Sequence, residues 1–79
     1  MTRDEIMNLQ VGDAIERDLI GTGNWTQTKV TQIFGRGVSA QGLAYVCMYT
    51  DLGEGAEMSG SATEGDGRYF RLPPAQAAA

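Results

Sequence analysis

Residues that commonly carry enzymatic chemistry are scarce in this chain. Its 79 residues include no histidine and a single cysteine, Cys47. The usual general base for a serine or cysteine nucleophile is therefore missing. Glu57 and Glu64 are conceivable acid–base partners across a hairpin, but carboxylates at turns more often keep a surface solvated. We predict no catalytic residue and expect that the protein is not an enzyme.

The sequence also contains no convincing motif for binding a metal ion or a phosphate group. Without histidine, every zinc pattern that contains one is excluded, and Asp51, Glu54 and Glu57 lack the spacing and the Asx ligands of a calcium loop. Gly21-Thr22-Gly23 and Gly35-Arg36-Gly37 have glycines typical of phosphate-binding loops, but no predicted helix follows either. We interpret both as hairpin turns and expect neither a metal nor a cofactor.

Aromatic side chains are the residues best suited to binding, with one tryptophan, three tyrosines and two phenylalanines. Neighbouring residues on a strand face opposite sides. If Phe70 belongs to the core, Tyr69 faces outward between two arginines and can form a stacking or peptide-docking patch with Trp25. The alternative is a set of ordinary half-buried aromatics. The candidate binding residues are Trp25, Tyr45, Tyr49, Arg68, Tyr69 and Arg71.

Acidic residues outnumber basic ones and concentrate in one part of the chain. Ten Asp and Glu against six Lys and Arg give a net charge of −4, which argues against binding a nucleic-acid backbone. Between Arg36 and Arg68 there is no basic residue. The acids of this interval are either solvated turns or a docking face for a basic partner. They are Asp51, Glu54, Glu57, Glu64 and Asp66.

The apolar run over residues 43–49 indicates that Cys47 is a small buried hydrophobe rather than a reactive thiol. One cysteine excludes an internal disulfide, and the run fits a reducing compartment. The first five residues are charged or polar apart from Met1, so the sequence indicates neither a signal peptide nor a membrane span. We expect a cytoplasmic protein without membrane contact.

Local patterns predict one helix followed by strands. Thr2-Arg3-Asp4-Glu5 is a capping-box pattern, which predicts a short helix over residues 3–9. After it, β-branched and apolar runs alternate with turns that contain glycine. A bulge is expected near Thr31, with Val30 and Phe34 on one face. The predicted strands cover residues 11–20, 25–34, 38–50, 56–62 and 68–72, with turns at 21–24, 35–37, 51–55 and 64–67.

The third predicted strand is the most apolar. Its odd-numbered residues from Leu43 to Tyr49 are expected on one face, and its even-numbered residues from Ala44 to Met48 on the other. Both faces are apolar. One should therefore be core, and the other is a candidate interface.

Five short strands behind one helical turn predict a mostly β fold, a five-stranded SH3-like small barrel with a short N-terminal helix. We expect one domain over residues 1–74 and a disordered C-terminal tail over residues 75–79, since Pro73 and Pro74 stop the last strand. The stretch Leu9-Gln10-Val11-Gly12-Asp13-Ala14-Ile15 resembles the opening strand of SH3-like barrels, including the KOW and Tudor types.

Residues 11–50 also show a likeness to the plasmid-borne type II dihydrofolate reductases, SH3-like tetramers carried on mobile gene cassettes. Gly12-Asp13, Gly23-Asn24-Trp25, Val30 and Gly42-Leu43-Ala44-Tyr45-Val46 fall in a similar order. Those enzymes use a Val-Gln-Ile-Tyr strand, whereas the final strand here is Arg68-Tyr69-Phe70-Arg71-Leu72, so no catalytic residue is carried over. The resemblance implies that so short a barrel can gain stability and a binding pore by self-association.

Taken together, these patterns predict a non-enzymatic small binding module whose partner is another protein or a second copy of the chain. By analogy it is a regulatory accessory protein of a phage or mobile gene cassette. One alternative is an oligomeric, reductase-like barrel that binds a small molecule in a central pore. Another is single-stranded nucleic-acid binding through Trp25 and Tyr69, against which the net charge counts.

Overall fold

The structure, a computed structural model, describes residues 1–18 and 22–73. One short helix precedes five antiparallel strands in a curled half-barrel, so the predicted mostly β fold with an N-terminal helix is confirmed. The strands are ordered β4-β3-β2-β1-β5. The predicted tail over residues 75–79 lies outside the described residues. The elements are α1 (Arg3–Asn8), β1 (Ala14–Arg17), β2 (Thr26–Val38), β3 (Ala44–Gly53), β4 (Ala56–Thr63) and β5 (Phe70–Arg71).

The helix begins where the capping-box pattern predicts it. Thr2 Oγ1 accepts from Glu5 N at 3.2 Å, and Glu5 Oε1 accepts from Thr2 N at 2.7 Å. Its apolar side is carried by Ile6, which packs in the core together with Leu9. At the other end, Arg36 donates to the carbonyl oxygens of Met7 and Leu9. No helix within the described residues is long and apolar enough to cross a membrane.

Strand β2 is long because it pairs with different strands in the two halves of the curled sheet, which we call the first and second half-sheets. Its first part pairs with β1, from Thr26 opposite Arg17 to Lys29 opposite Ala14, and this first half-sheet also contains β5. Its second part, from Val30 onward, pairs with β3 in the second half-sheet, which also contains β4. The register shifts after Val30, so the bulge expected near Thr31 is confirmed. Such a bulge lets one strand bend from one sheet into another.

The turn predicted at residues 35–37 is wrong. Gly35, Arg36 and Gly37 continue β2 and lie opposite β3, and the chain reverses at residues 39–43 instead. There Ser39 N donates to Leu43 O at 2.8 Å, and Gly42 has φ +80°, a conformation that favours glycine. Strand β3 therefore begins at Ala44 rather than at residue 38.

Other boundaries also differ from the prediction. The first strand covers four residues rather than ten, and Leu19 and Ile20 of the predicted strand lie outside the described residues. Strand β3 runs on to Gly53, so the predicted loop at 51–55 shrinks to a turn at Glu54 and Gly55. The fourth strand falls where it is expected, whereas the last is only Phe70–Arg71.

The core lies on one face of the curled sheet, under α1. Along β3 the even-numbered residues from Ala44 to Thr50 are buried, and Tyr45, Cys47 and Tyr49 are half-buried on the opposite face. The expected alternation is confirmed from Ala44 to Tyr49, whereas Leu43 lies in the turn before β3. The prediction that Cys47 is buried is wrong, because its side chain is half-buried on the outer face. The buried apolar residues are Ile6, Leu9, Ile15, Val30, Ala44, Val46, Met48, Ala62 and Phe70.

Phe34 was expected to share a face with Val30, and this is wrong. Val30 is 1% exposed, whereas Phe34 is 54% exposed on the outer face. The register shift between Val30 and Gln32 explains the difference. This bulge adds one residue to the strand and reverses the faces of the residues that follow, so Val30 and Phe34 no longer share a face.

Candidate functional site

Four side chains form an apolar surface on the outer face of the second half-sheet, which we call the outer patch. The rings of Phe34 and Tyr49 contact each other, with centroids 5.1 Å apart and planes at 47°. A Cβ placed on Gly37 would lie 3.1 Å from Tyr45 Oη, so the Tyr45 ring covers this glycine. Tyr45 is thus half-buried by its own sheet. The outer patch consists of Phe34, Tyr45, Cys47 and Tyr49.

A second surface, the arginine–aromatic patch, lies beside the first half-sheet. The Arg71 guanidinium lies 4.1 Å from the centroid of the Trp25 ring, and its Nε is 2.6 Å from Glu16 Oε1. Arg68 lies over Tyr69 at 5.4 Å from the ring centroid. These are cation–π distances. The arginine–aromatic patch consists of Trp25, Arg68, Tyr69 and Arg71.

The six residues predicted to bind therefore fall on two surfaces. Tyr45 and Tyr49 belong to the outer patch, and the other four form the arginine–aromatic patch. Tyr69 is 45% exposed while Phe70 is buried, as expected, although Tyr69 lies in a bend before β5 rather than within the strand. Sequence reasoning missed Phe34, because the bulge expected near Thr31 also reverses the faces of the residues that follow it.

The acids between Arg36 and Arg68 are mostly engaged within the chain. Glu57 Oε2 accepts from Thr31 Oγ1 at 2.7 Å, and Glu64 Oε1 accepts from Arg3 Nε at 2.9 Å. Asp66 is paired with Arg68 at 3.3 Å. These acidic residues therefore bind separate partners within the chain and do not form one acidic surface. Among the residues that the structure describes, no three acids or cysteines are grouped so that they could hold a metal ion.

Arg17 is a buried basic residue that sequence reasoning did not select. It is 7% exposed, lies 5.0 Å from the centroid of the Phe70 ring, and donates to Thr50 Oγ1. It also donates to Met58 O at 3.3 Å and to Ser59 O at 3.2 Å. Arg17 thus joins the first half-sheet to β3 and β4. Its position on the same face as Ile15 was the signal available in the sequence.

A cavity of about 880 Å³ opens where β2 diverges from β3. Thr28 Oγ1 donates to Asp51 O and is the link between the two strands at this point. The Asp51 carboxylate accepts from Gly53 N at 2.7 Å, in the turn that follows. The residues that line it include Arg17, Thr26, Lys29, Asp51 and Leu52.

The electrostatics follow from these contacts. Burial lowers the pKa of Arg17. The pKa of Glu64 is lowered first by the backbone N–H of Ala44 and then by Arg3. The side chain of Arg68 lowers the pKa of Asp66, and Asp66 in turn raises the pKa of Arg68. In the exposed Arg68–Asp66 pair, each partner therefore favours the ionised form of the other.

Comparison with protein-family models, with curated proteins and with solved structures finds no match for this chain. The function has to be inferred from the two patches and the cavity.

Proposed function

We propose that this chain is a non-enzymatic binding module, built as an SH3-like barrel, that docks a protein partner or a second copy of itself through the outer patch. The observation that supports this most is Phe34, which packs on Tyr49 yet is 54% exposed on the face opposite the core. An exposed aromatic pair offers a partner a large apolar contact area. By analogy with small proteins of phages and mobile gene cassettes, the role is a regulatory one.

The surroundings of the outer patch also support docking. Gln32 and Ser59 lie opposite Tyr49 on the two flanking strands, and Ser61 lies opposite Cys47. An apolar centre with a polar rim is the usual organisation of a protein interface. Strand β4 is the edge of the sheet, and its residues from Ala56 to Ser59 are exposed. An exposed edge strand can pair with a strand of another chain.

The arginine–aromatic patch favours a protein partner over a nucleic acid. Arg71 is paired with Glu16 at 2.6 Å, and Arg68 with Asp66 at 3.3 Å. Both positive charges are thereby largely neutralised within the chain. Binding to a phosphate backbone depends on unpaired positive charge, whereas aromatic rings stacked with arginine are common at protein interfaces.

Solution mass at several protein concentrations tests the proposal. Light scattering should give masses above the 8.5 kDa of one chain, rising with concentration. Phe34→Ser should weaken self-association about tenfold or more, because it removes an aromatic contact from the centre of the patch. Val11→Ser is the matched control, since Val11 is also an exposed apolar residue, 61% exposed, but lies outside the patch.

If the partner is a different protein, the same three proteins should give a different result. The wild-type protein would then stay monomeric, and immobilised wild-type and Val11→Ser proteins would retain a lysate component that Phe34→Ser loses. A monomeric protein whose captured components are the same with and without Phe34 would contradict the proposal.

A further inference from the structure

Strand β4 has an open edge, because it lies at one end of the strand order. Just after the strand, Glu64 N donates to Ala44 O at 2.8 Å, and hydrogen-bonded pairs alternate along an antiparallel ladder. Even-numbered residues of β4 therefore bond to β3, and odd-numbered residues direct their N–H and C=O groups to the open edge. Thr63 O agrees with this assignment, since it accepts from Asp66 N at 3.0 Å.

The first four residues of β4 are exposed. Within residues 1–18 and 22–73, Glu57 N, Glu57 O and Ser59 N form no hydrogen bond, and Ser59 O accepts from Arg17 at 3.2 Å. That carbonyl oxygen has a second lone pair for another donor. Beyond this segment the strand lies close to β5, because a Cβ on Gly60 would lie 2.7 Å from Phe70 Cζ. The part of the edge that another strand can pair with is therefore residues 56–60.

This segment lacks the features that usually protect an edge strand. It contains neither proline nor lysine. Its one charged side chain, Glu57, accepts from Thr31 Oγ1 at 2.7 Å. Met58 is 41% exposed, although Thr50, its neighbour on β3, is buried. The segment thus offers an incoming strand both backbone hydrogen bonds and an apolar side chain.

A second copy of the same segment fits this edge when the two strands are antiparallel and Met58 lies opposite itself. Glu57 of each copy is then opposite Ser59 of the other, and both residues have outward N–H and C=O groups to exchange. The two Met58 residues form a non-hydrogen-bonded pair, in which facing side chains are closest. A register centred on Glu57 would oppose like charges, and one centred on Ser59 would extend the pairing to Ser61, past the approach of Phe70.

We propose that two copies of the chain pair through residues 56–60 of β4, antiparallel about a two-fold axis at Met58. The fit of the segment with itself, in hydrogen bonding and in charge, assigns the edge to a second copy rather than to a different protein. This interface is separate from the outer patch and goes beyond the proposed function. Because the axis is perpendicular to the paired strands, the outer patches of both copies lie on the same face and stay accessible.

Disulfide cross-linking tests the register. Met58→Cys is made in a Cys47→Ser background, since Cys47 is the single cysteine. Facing residues of a non-hydrogen-bonded pair have Cα atoms about 4.5 Å apart, within the range of a disulfide. Ser61→Cys in the same background is the matched control, because the proposed register places the two copies of residue 61 about 20 Å apart.

Under mild oxidation, Met58→Cys should form the covalent dimer about tenfold faster than Ser61→Cys, because only its thiols face each other in the paired strands. Equal rates would overturn the proposal. Adding Phe34→Ser should change the Met58→Cys rate by less than about twofold, since distant sites act independently. Failure of docking at the outer patch is therefore distinguishable from failure of pairing at the edge.

Light scattering provides a second measurement without cysteine. Met58→Lys should weaken dimerisation about tenfold or more, because it places two like charges opposite each other at the axis. Val11→Lys is the matched control, since Val11 is also an exposed apolar residue, 61% exposed, but lies outside β4. Any self-association that remains in Met58→Lys should respond to Phe34→Ser and belongs to the outer patch. A wild-type protein that is monomeric at every concentration, or equal effects of the two lysine variants, would overturn the proposal.

Discussion

Arg17 is the side chain on which the connection between the two half-sheets depends. Its guanidinium reaches a hydroxyl on β3 and two carbonyl oxygens on β4, and it packs over the ring of Phe70. A buried cation without a carboxylate partner is costly in itself, and burial lowers its pKa. The hydrogen bonds to neutral acceptors and the contact with the aromatic ring offset that cost.

We expect Arg17→Met to reduce the free energy of unfolding by about 1–3 kcal/mol, because it leaves oxygens on β3 and β4 without their donor. Urea denaturation measures the change. Arg3→Met is the control, and the loss of its exposed salt bridge should cost less than about 1 kcal/mol. In a double-mutant cycle with Thr50→Val, the coupling should be about 1 kcal/mol. Equal losses for the two arginine variants would contradict this role.

Individual residues were predicted well where simple alternation holds and poorly where it is interrupted. Tyr69 is exposed and Phe70 is buried, as expected for neighbouring residues, although Tyr69 lies in the bend just before β5. Phe34 was misplaced because the bulge between Val30 and Gln32 reverses the faces of the residues that follow it. Arg17 was not selected, because its hydrogen-bond partners on β3 and β4 come close to β1 only when the sheet curls.

Among the elements, the turns were harder to predict than the strands. Gly35-Arg36-Gly37 contains two glycines, which are common in turns, but here both lie within a strand and Gly37 makes room for the Tyr45 ring. A Cβ on Gly37 would lie 3.1 Å from Tyr45 Oη, whereas one on Gly35 would make only an ordinary contact, 3.5 Å from Cys47 Cβ. Sequence alone does not distinguish a glycine needed for its backbone conformation from one needed for the lack of a side chain.

Gly60 is a glycine that is needed because it lacks a side chain, and this lack allows β4 to lie close to Phe70 of β5. A Cβ at this position would lie 2.7 Å from Phe70 Cζ and 3.3 Å from Arg17 Nη2. We therefore expect Gly60→Ala to lower the free energy of unfolding by about 1–3 kcal/mol through overpacking. Thermal or urea denaturation measures the effect.

Gly67→Ala provides the control for this substitution. Gly67 does not have a positive φ, and a Cβ there would meet nothing within 4 Å. Its stability should change by less than about 0.5 kcal/mol. If Phe70 causes the loss at Gly60, then Gly60→Ala should cost less in a Phe70→Leu background. An unchanged cost there would assign the effect to the backbone of β4 instead.

Glu64 connects parts of the molecule that are distant in sequence. Its Oε1 accepts from Arg3 Nε in α1 at 2.9 Å and from Ala44 N at the start of β3 at 3.1 Å. Beside it, Gly65 N donates to Met1 O at 3.0 Å. The N-terminal helix is therefore fixed beside the sheet partly by an ionised carboxylate, which makes the whole fold sensitive to acid.

The direction of this sensitivity follows from the pKa of Glu64, which the Ala44 N–H and then Arg3 lower from the ordinary value of 4.5. Because the folded state binds the proton more weakly than the unfolded state does, the carboxylate stabilises the fold fully above 4.5. That contribution is lost as the pH falls through the lowered pKa. Urea denaturation measures this loss, and we expect the free energy of unfolding to fall between about pH 7 and about pH 3. In Glu64→Gln the free energy of unfolding should fall less over the same range.

Two comparisons decide whether Glu64 is the group responsible. Glu54→Gln removes an exposed carboxylate from the β3–β4 turn, so its stability should follow the wild-type profile with pH. The Glu64→Gln variant should still lose some stability in acid, and Asp66, whose pKa is lowered by Arg68, should account for part of that loss. The double variant Glu64→Gln, Asp66→Asn should therefore be the least sensitive of the series. If Glu64→Gln loses stability equally at every pH and keeps the wild-type slope, the carboxylate acts through packing rather than through its charge.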